Sequence, residues 1–295
     1  MASSMNAMRR NFAFIFPEVK ALWKNTTLFV RSICLIIFSC YFLSYSETAV
    51  EVISVTPGYL WPPHLWVWTA CTHFFLELHF WEVCVDIATL VLCGKLIEPL
   101  WGAFEMVVFF FLVNILVGFL AGVFYLILYS CTFQPGLLFS LHIHGLSGYI
   151  AGVTVAVKQI MPDHVLIRTP VTKITNRNVP LCIFTLTVIL HVIGLLEGTY
   201  PSMFLCGIVI SWTYLRFYQK HRNGSKGDMA ENFSFASFFP NVIQPPISVV
   251  SNFIHSLMVR IGLCEKIVRK YDFGAPSSIT ISLPGMEAQD AERRR

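Results

Sequence analysis

The sequence predicts an all-α membrane protein: six spanning helices, both ends in the cytosol, and a cytosolic C-terminal tail. Three observations carry that prediction. Apolar residues fill 55% of the chain and charged residues only 13%, about half the charged share of a soluble domain. A surface this apolar suits lipid as its solvent better than water. The apolar residues also gather into runs near the ~20 residues that a helix needs to cross a bilayer core. Finally, Lys and Arg accumulate in alternate loops, as they do on the cytosolic side of membrane proteins.

The elements are taken in chain order. Residues 1–27 are polar and partly basic, with Arg9, Arg10, Lys20 and Lys24. The first span is expected at 28–46; it is long enough to read as a signal anchor rather than a cleaved leader. The second, about 65–93, is the least apolar and carries His73, Glu77, His79, Glu82 and Asp86. The third, 103–129, is the strongest. The fourth, fifth and sixth are expected at 137–157, 179–196 and 200–218. Lys95 follows the second span; Lys158, Arg168, Lys173 and Arg177 follow the fourth; Arg216, Lys220, Arg222 and Lys226 follow the sixth. The loops at 47–64, 130–136 and 197–199 contain neither Lys nor Arg. Five or seven spans would break that alternation. The sequons at Asn25, Asn223 and Asn232 then fall on the cytosolic side and are expected to stay unglycosylated.

The division is therefore a cytosolic segment 1–27, a membrane domain 28–218 and a cytosolic region 219–295. Within the last, 233–239 is rich in aromatics, and 247–268 is amphipathic, with Val249, Phe253, Ile254 and Leu257 on its apolar face. That pattern suits a helix on the membrane surface or docked on the bundle, and equally a helix of a small soluble domain. Residues 277–283 alternate like a short strand. The charged stop at Arg293–Arg295 is an odd natural end and suggests truncation.

The nine cysteines form no CxxC pair and sit mostly in apolar runs, so neither a disulfide framework nor a zinc site is expected. His142 and His144, two apart, are weak metal evidence. No cofactor and no nucleic-acid partner are expected.

Gly118 and Gly122 stand four apart in the third span, and Gly148 and Gly152 in the fourth. Small residues at that spacing let helix backbones approach closely in lipid. The fourth span also carries Gly145-Leu146-Ser147-Gly148, and the sixth carries Gly207 and Ser211. This order of a polar second helix, a Gly-rich third, a GxSG fourth and a small-residue sixth resembles the rhomboid superfamily, over roughly 28–218. The resemblance implies a six-helix bundle in which the GxSG serine is the nucleophile and a sixth-helix histidine the base. The base position, three residues before Gly207, is Phe204, and a phenyl ring takes no proton. The second-helix residues that help hold the oxyanion in that family fall on Glu82 and Asp86, carboxylates that would repel one. The family's Trp-Arg pair reads Trp68-Thr69. Ser147 is thus a vestigial nucleophile position. A competing reading pairs Ser147 with His191, which precedes Gly194 and Gly198 at a fitting spacing; the other reading of His191 is a histidine satisfied within the bundle. Likewise His73, Glu77, Glu82 and Asp86 either line a wet cavity, as a transporter would require, or hold the fold together.

Longer blocks narrow the resemblance. Thr56–Pro63, Glu98–Gly102, Tyr214–Gln219 and Asp272–Thr280 are similar to the eukaryotic transmembrane protein 115 branch. That resemblance implies a non-proteolytic, self-associating rhomboid relative of the Golgi membrane. It implies roles in Golgi-to-ER retrograde vesicle transport and Golgi organisation, with Golgi tethering machinery as a partner. The bundle would meet cargo transmembrane helices through its Gly-lined flanks, and the tail would recruit trafficking partners.

Overall fold

The computed structural model describes residues 26–168, 173–196, 198–221, 224, 226–240 and 243–260. The segment before residue 26, the end of the amphipathic run and the strand expected at 277–283 lie outside the described residues.

Six main helices make the bundle: α1 (Leu28–Leu43), α2 (Phe80–Leu96), α3 (Ala103–Thr132), α4 (Ser147–Ile160), α5 (Val179–Val192) and α6 (Thr199–Thr213). Among the described residues, α3 is the one helix both long and apolar enough to cross a membrane by itself; α1 and α5 are apolar but shorter. Glu105 is the only charged residue of α3. Its buried positions, among them Met106, Phe109, Phe110, Val113, Val117, Ala121 and Tyr125, recur every three or four residues. That spacing aligns them along one stripe of the helix, so α3 serves as the central post. The most extensive helix contact joins α4 to α6, and α6 also packs on α3. Tyr149 of α4 closes the core against the rings of Phe109 and Phe110. Outward positions stay apolar: Phe42 on α1, Ile127 on α3 and Ile189 on α5 are each more than half exposed.

Two expected spans are interrupted. Residues 65–79 do not form the first half of a continuous second helix. They make short turns at Thr69–Thr72 and His73–Phe75, and Leu76 and His79 are extended. Helix α2 begins only at Phe80, because His79 and Glu82 form a reciprocal cap. The His79 N–H donates to Glu82 Oε2 (3.0 Å) and the His79 ring meets Glu82 Oε1 (3.2 Å). Such a cap satisfies amide donors that the first helical turn leaves free, and so starts a helix. The fourth run breaks in the same way: a turn at Gly136–Phe139 is followed by non-helical chain up to Leu146. There Ile143 pairs with Val55 through two backbone bonds of 2.9 Å. After α4 a short hairpin joins the helices: β1 (Val165–Arg168) pairs antiparallel with β2 (Lys173–Thr175).

The chain does not leave the bundle after Tyr218. Trp212 Nε1 donates to the Phe233 carbonyl (3.0 Å), and Arg216 Nη1 donates to those of Asp228 (2.9 Å) and Ala230 (2.6 Å). Lys158, at the end of α4, is buried. Its Nζ donates to Ser237 Oγ (3.0 Å) and lies 3.3 Å from the centre of the Phe238 ring. A boundary at 218 therefore cuts through packed structure. Beyond it, α7 (Gln244–Arg260) leans on this segment, with His255 stacked on Phe217. Val249 and Phe253 of α7 point outward, 70% and 72% exposed.

Candidate functional site

The loop ahead of α4 is held by the broken stretch ahead of α2. The Gly145 N–H donates to the His73 carbonyl (3.0 Å) and the Leu146 N–H to Glu77 Oε1 (3.0 Å). Gly145 has φ +92°, a conformation that L side chains rarely adopt, and a β-carbon there would lie 2.6 Å from Glu77 Oε1. Glycine is thus required twice, by backbone and by space. Helix α4 then starts at Ser147.

Ser147 is buried, and its hydroxyl donates to Met203 Sδ at 3.5 Å. A thioether is a weak acceptor and no base. Phe204, next to Met203, is 3% exposed. His191 is engaged elsewhere: its Nδ1 meets the Leu196 carbonyl at 3.1 Å, at the exposed end of α5. The two members of the Ser147–His191 reading therefore have separate partners. An activated serine needs its base within about 3.2 Å.

The buried carboxyls form one connected patch. Glu77 and Asp86 are both buried, 2% and 3% exposed. Glu82, one turn before Asp86, accepts from the Tyr200 hydroxyl of α6 and from the His79 backbone. His73 is fully buried beside Gly118 of α3, and His144 is buried with its ring edge-on to Tyr200, centres 6.3 Å apart. His142 Nδ1 meets Ser54 Oγ (3.2 Å) and Thr56 Oγ1 (3.1 Å). Among the described residues, no group of three His, Cys, Asp or Glu is placed to hold a metal.

The sequence that builds this site matches known proteins over nearly its whole length. The family described as eukaryotic integral membrane protein (DUF1751) matches residues 31–295. Transmembrane protein 115 of Mus musculus is 44% identical over 288 residues, covering 98% of this chain and 81% of the relative. The chain belongs to the transmembrane protein 115 family. The Homo sapiens relative of the same name is 43% identical over the same shares. Rhomboid-like protein 19 of Arabidopsis thaliana is 26% identical over 280 residues, covering 93% of this chain and 87% of that protein.

In this transmembrane protein 115 family member the small residues face inward. Gly207 of α6 lies so close to α4 that a β-carbon would collide with the Gly148 carbonyl. One turn along, Gly152 meets Ser211 Oγ in the same way; Ser211 is fully buried. Gly148 also abuts Val117, and β-carbons at Gly118 and Gly122 would lie 2.7 Å from His73 and from Leu60. These glycines are therefore used within the bundle, and the expectation that they line flanks open to cargo helices is corrected. The bundle needs the close backbone approach itself.

A second correction concerns the carboxylates. Glu82, placed by spacing beside the serine, instead accepts from the Tyr200 hydroxyl, and Asp86 is buried one turn further along α2. The carboxylate that reaches the GxSG loop is Glu77. It caps a backbone donor beside the serine, where an acyl-transfer enzyme keeps donors free for the developing oxyanion. Spacing gave no signal for this, because Glu77 reaches the loop only through the chain break at 76–79. Glu77→Ala should strand the Leu146 N–H and lower stability by roughly 1–3 kcal/mol. Glu77→Gln, which keeps an oxygen for that bond, should lose less; thermal unfolding of purified protein in detergent compares the two.

Proposed function

We propose that this chain is a catalytically inactive, six-span rhomboid-like scaffold of the Golgi membrane. It would act in Golgi-to-ER retrograde vesicle transport and Golgi organisation, with both termini cytosolic. The observation that carries the noncatalytic reading is the Ser147 hydroxyl, turned onto Met203 Sδ with Phe204 beside it. The six spans rest on α1 to α6, their outward apolar residues and the alternate basic loops. The Golgi setting, self-association and contact with tethering machinery are what the family resemblance implies. The buried carboxyls act as fold glue in this reading, since Glu82 accepts from Tyr200 and Glu77 from the Leu146 amide.

The contacts of Trp212, Arg216 and Lys158 with residues 228–238 support a different division of labour in the proposed 219–295 region. Residues 219–240 belong with the membrane domain, and partner recruitment falls to α7 and residues 261–295. Cargo helices would meet the apolar outer faces of the bundle.

The test is transport of a retrograde reporter in cells that lack the endogenous protein. Ser147→Ala should restore transport fully, and an activated-serine probe should not label Ser147. A chain ending after Pro240 should reach the membrane but fail to restore transport. Loss of both transport and model-substrate cleavage in Ser147→Ala would return the protease reading.

A further inference from the structure

A groove of ≈ 680 Å³ runs between α3 and α6 and is unrelated to the GxSG site. Its volume is in the range of small-molecule sites, roughly 300–1,000 Å³. Val108, Leu112 and Leu116 of α3 line one wall, Val209 and Thr213 of α6 the other, and Lys220 stands at the mouth. The α3 wall starts at Phe104, and its residues recur four apart, so they stack along one face. From Phe104 to Leu116 that wall is about 18 Å long at 1.5 Å per residue. A bilayer core is ~30 Å thick, so the groove spans about one leaflet and stops. A partner transmembrane helix would need a face across the whole core; a single acyl chain needs one leaflet.

The mouth supplies the charge. Lys220 and Lys226 are exposed and directly opposed in an antiparallel bridge, which places their side chains on the same side of the ribbon. Like charges directly opposite destabilise a pair of strands, so an anion between them is a natural complement. Glu105 also lines the groove and accepts from the Tyr214 hydroxyl at 2.5 Å, so the two lysines face one carboxylate. Juxtamembrane Lys and Arg favour anionic lipids of the cytosolic leaflet.

We propose that this groove holds one acyl chain of an anionic glycerophospholipid, with its phosphate between Lys220 and Lys226. The placement in the cytosolic leaflet rests on the topology proposed above; the groove and its cationic mouth do not.

The test is native mass spectrometry of the full chain in detergent, with phosphatidylserine or phosphatidylcholine of identical acyl chains added in turn. One phosphatidylserine per chain should be retained, at least tenfold more tightly than phosphatidylcholine. The variant with both Lys220→Gln and Lys226→Gln should lose that preference; both side chains are exposed, so its fold is not at risk. Leu116→Trp, at a half-exposed position, should block retention of either lipid. Equal retention of the two lipids, or retention unchanged in the double lysine variant and in Leu116→Trp, would overturn the proposal. Protease accessibility of residues beyond 240 in sealed vesicles reads the topology separately, so failure of one is not failure of the other.

Discussion

Gly207→Val is expected to abolish the folded bundle. The new β-carbon would lie 2.2 Å from the Gly148 carbonyl oxygen on α4. That obstacle is backbone, so no rotamer change relieves it, and α4 and α6 must separate along their whole shared face. The cost should sit at the top of, or above, the ~1–3 kcal/mol typical of overpacking. In practice, monodisperse protein should be lost on size-exclusion chromatography in detergent. Gly136→Ala is the control, because a β-carbon at Gly136 meets open space and the variant should behave as the parent. A Gly207→Val protein with the parent's unfolding temperature would show that the α4–α6 contact is not what holds the bundle.

The second large effect concerns where the chain can be cut. A chain ending after Tyr218 should aggregate or be degraded, whereas one ending after Arg260 should insert and remain monodisperse. The shorter chain loses Phe233 and Phe238, which are 2% and 3% exposed on the underside of the bundle. At roughly 1.5–3 kcal/mol for each buried side chain, those two rings alone account for about 3–6 kcal/mol. It also loses the Ser237 and Phe238 contacts of Lys158. Expression yield and fluorescence-detected size exclusion of the two chains decide the matter. Equal behaviour would mean that 219–240 is a free tail. A deletion starting at 219 therefore cannot report on partner recruitment, since it damages the membrane domain itself.

Several features were legible in residue order. The helical membrane class follows from composition and from runs such as 103–129, whose mean apolarity needs no tertiary information. The family follows from blocks such as Glu98–Gly102 and from the GxSG loop. The aromatic residue at 204 was also readable, because three residues before Gly207 on a continuous helix is a fixed geometric relation. The break at 76–79 was not. His79 and Glu82 stand three apart like many pairs inside helices, and only the extended backbone at His79 turns them into a cap.

What the sequence determined by itself was the set of local relations: which segments are apolar enough for a membrane, which sit beside basic loops, and which residue comes after which on a single helix. What only the tertiary structure decided was which distant groups meet. Glu77 and Leu146 stand 69 positions apart and Lys158 and Ser237 stand 79 apart. Neither pair shares a helix, so no periodicity links them. Their contact depends on the path of the chain through a broken second helix and back under the bundle. Gly148, Gly152, Gly207 and Ser211 show the same division. Their spacing shows that two small-residue faces exist, but only the packing of α4 on α6 shows that the faces are used on each other.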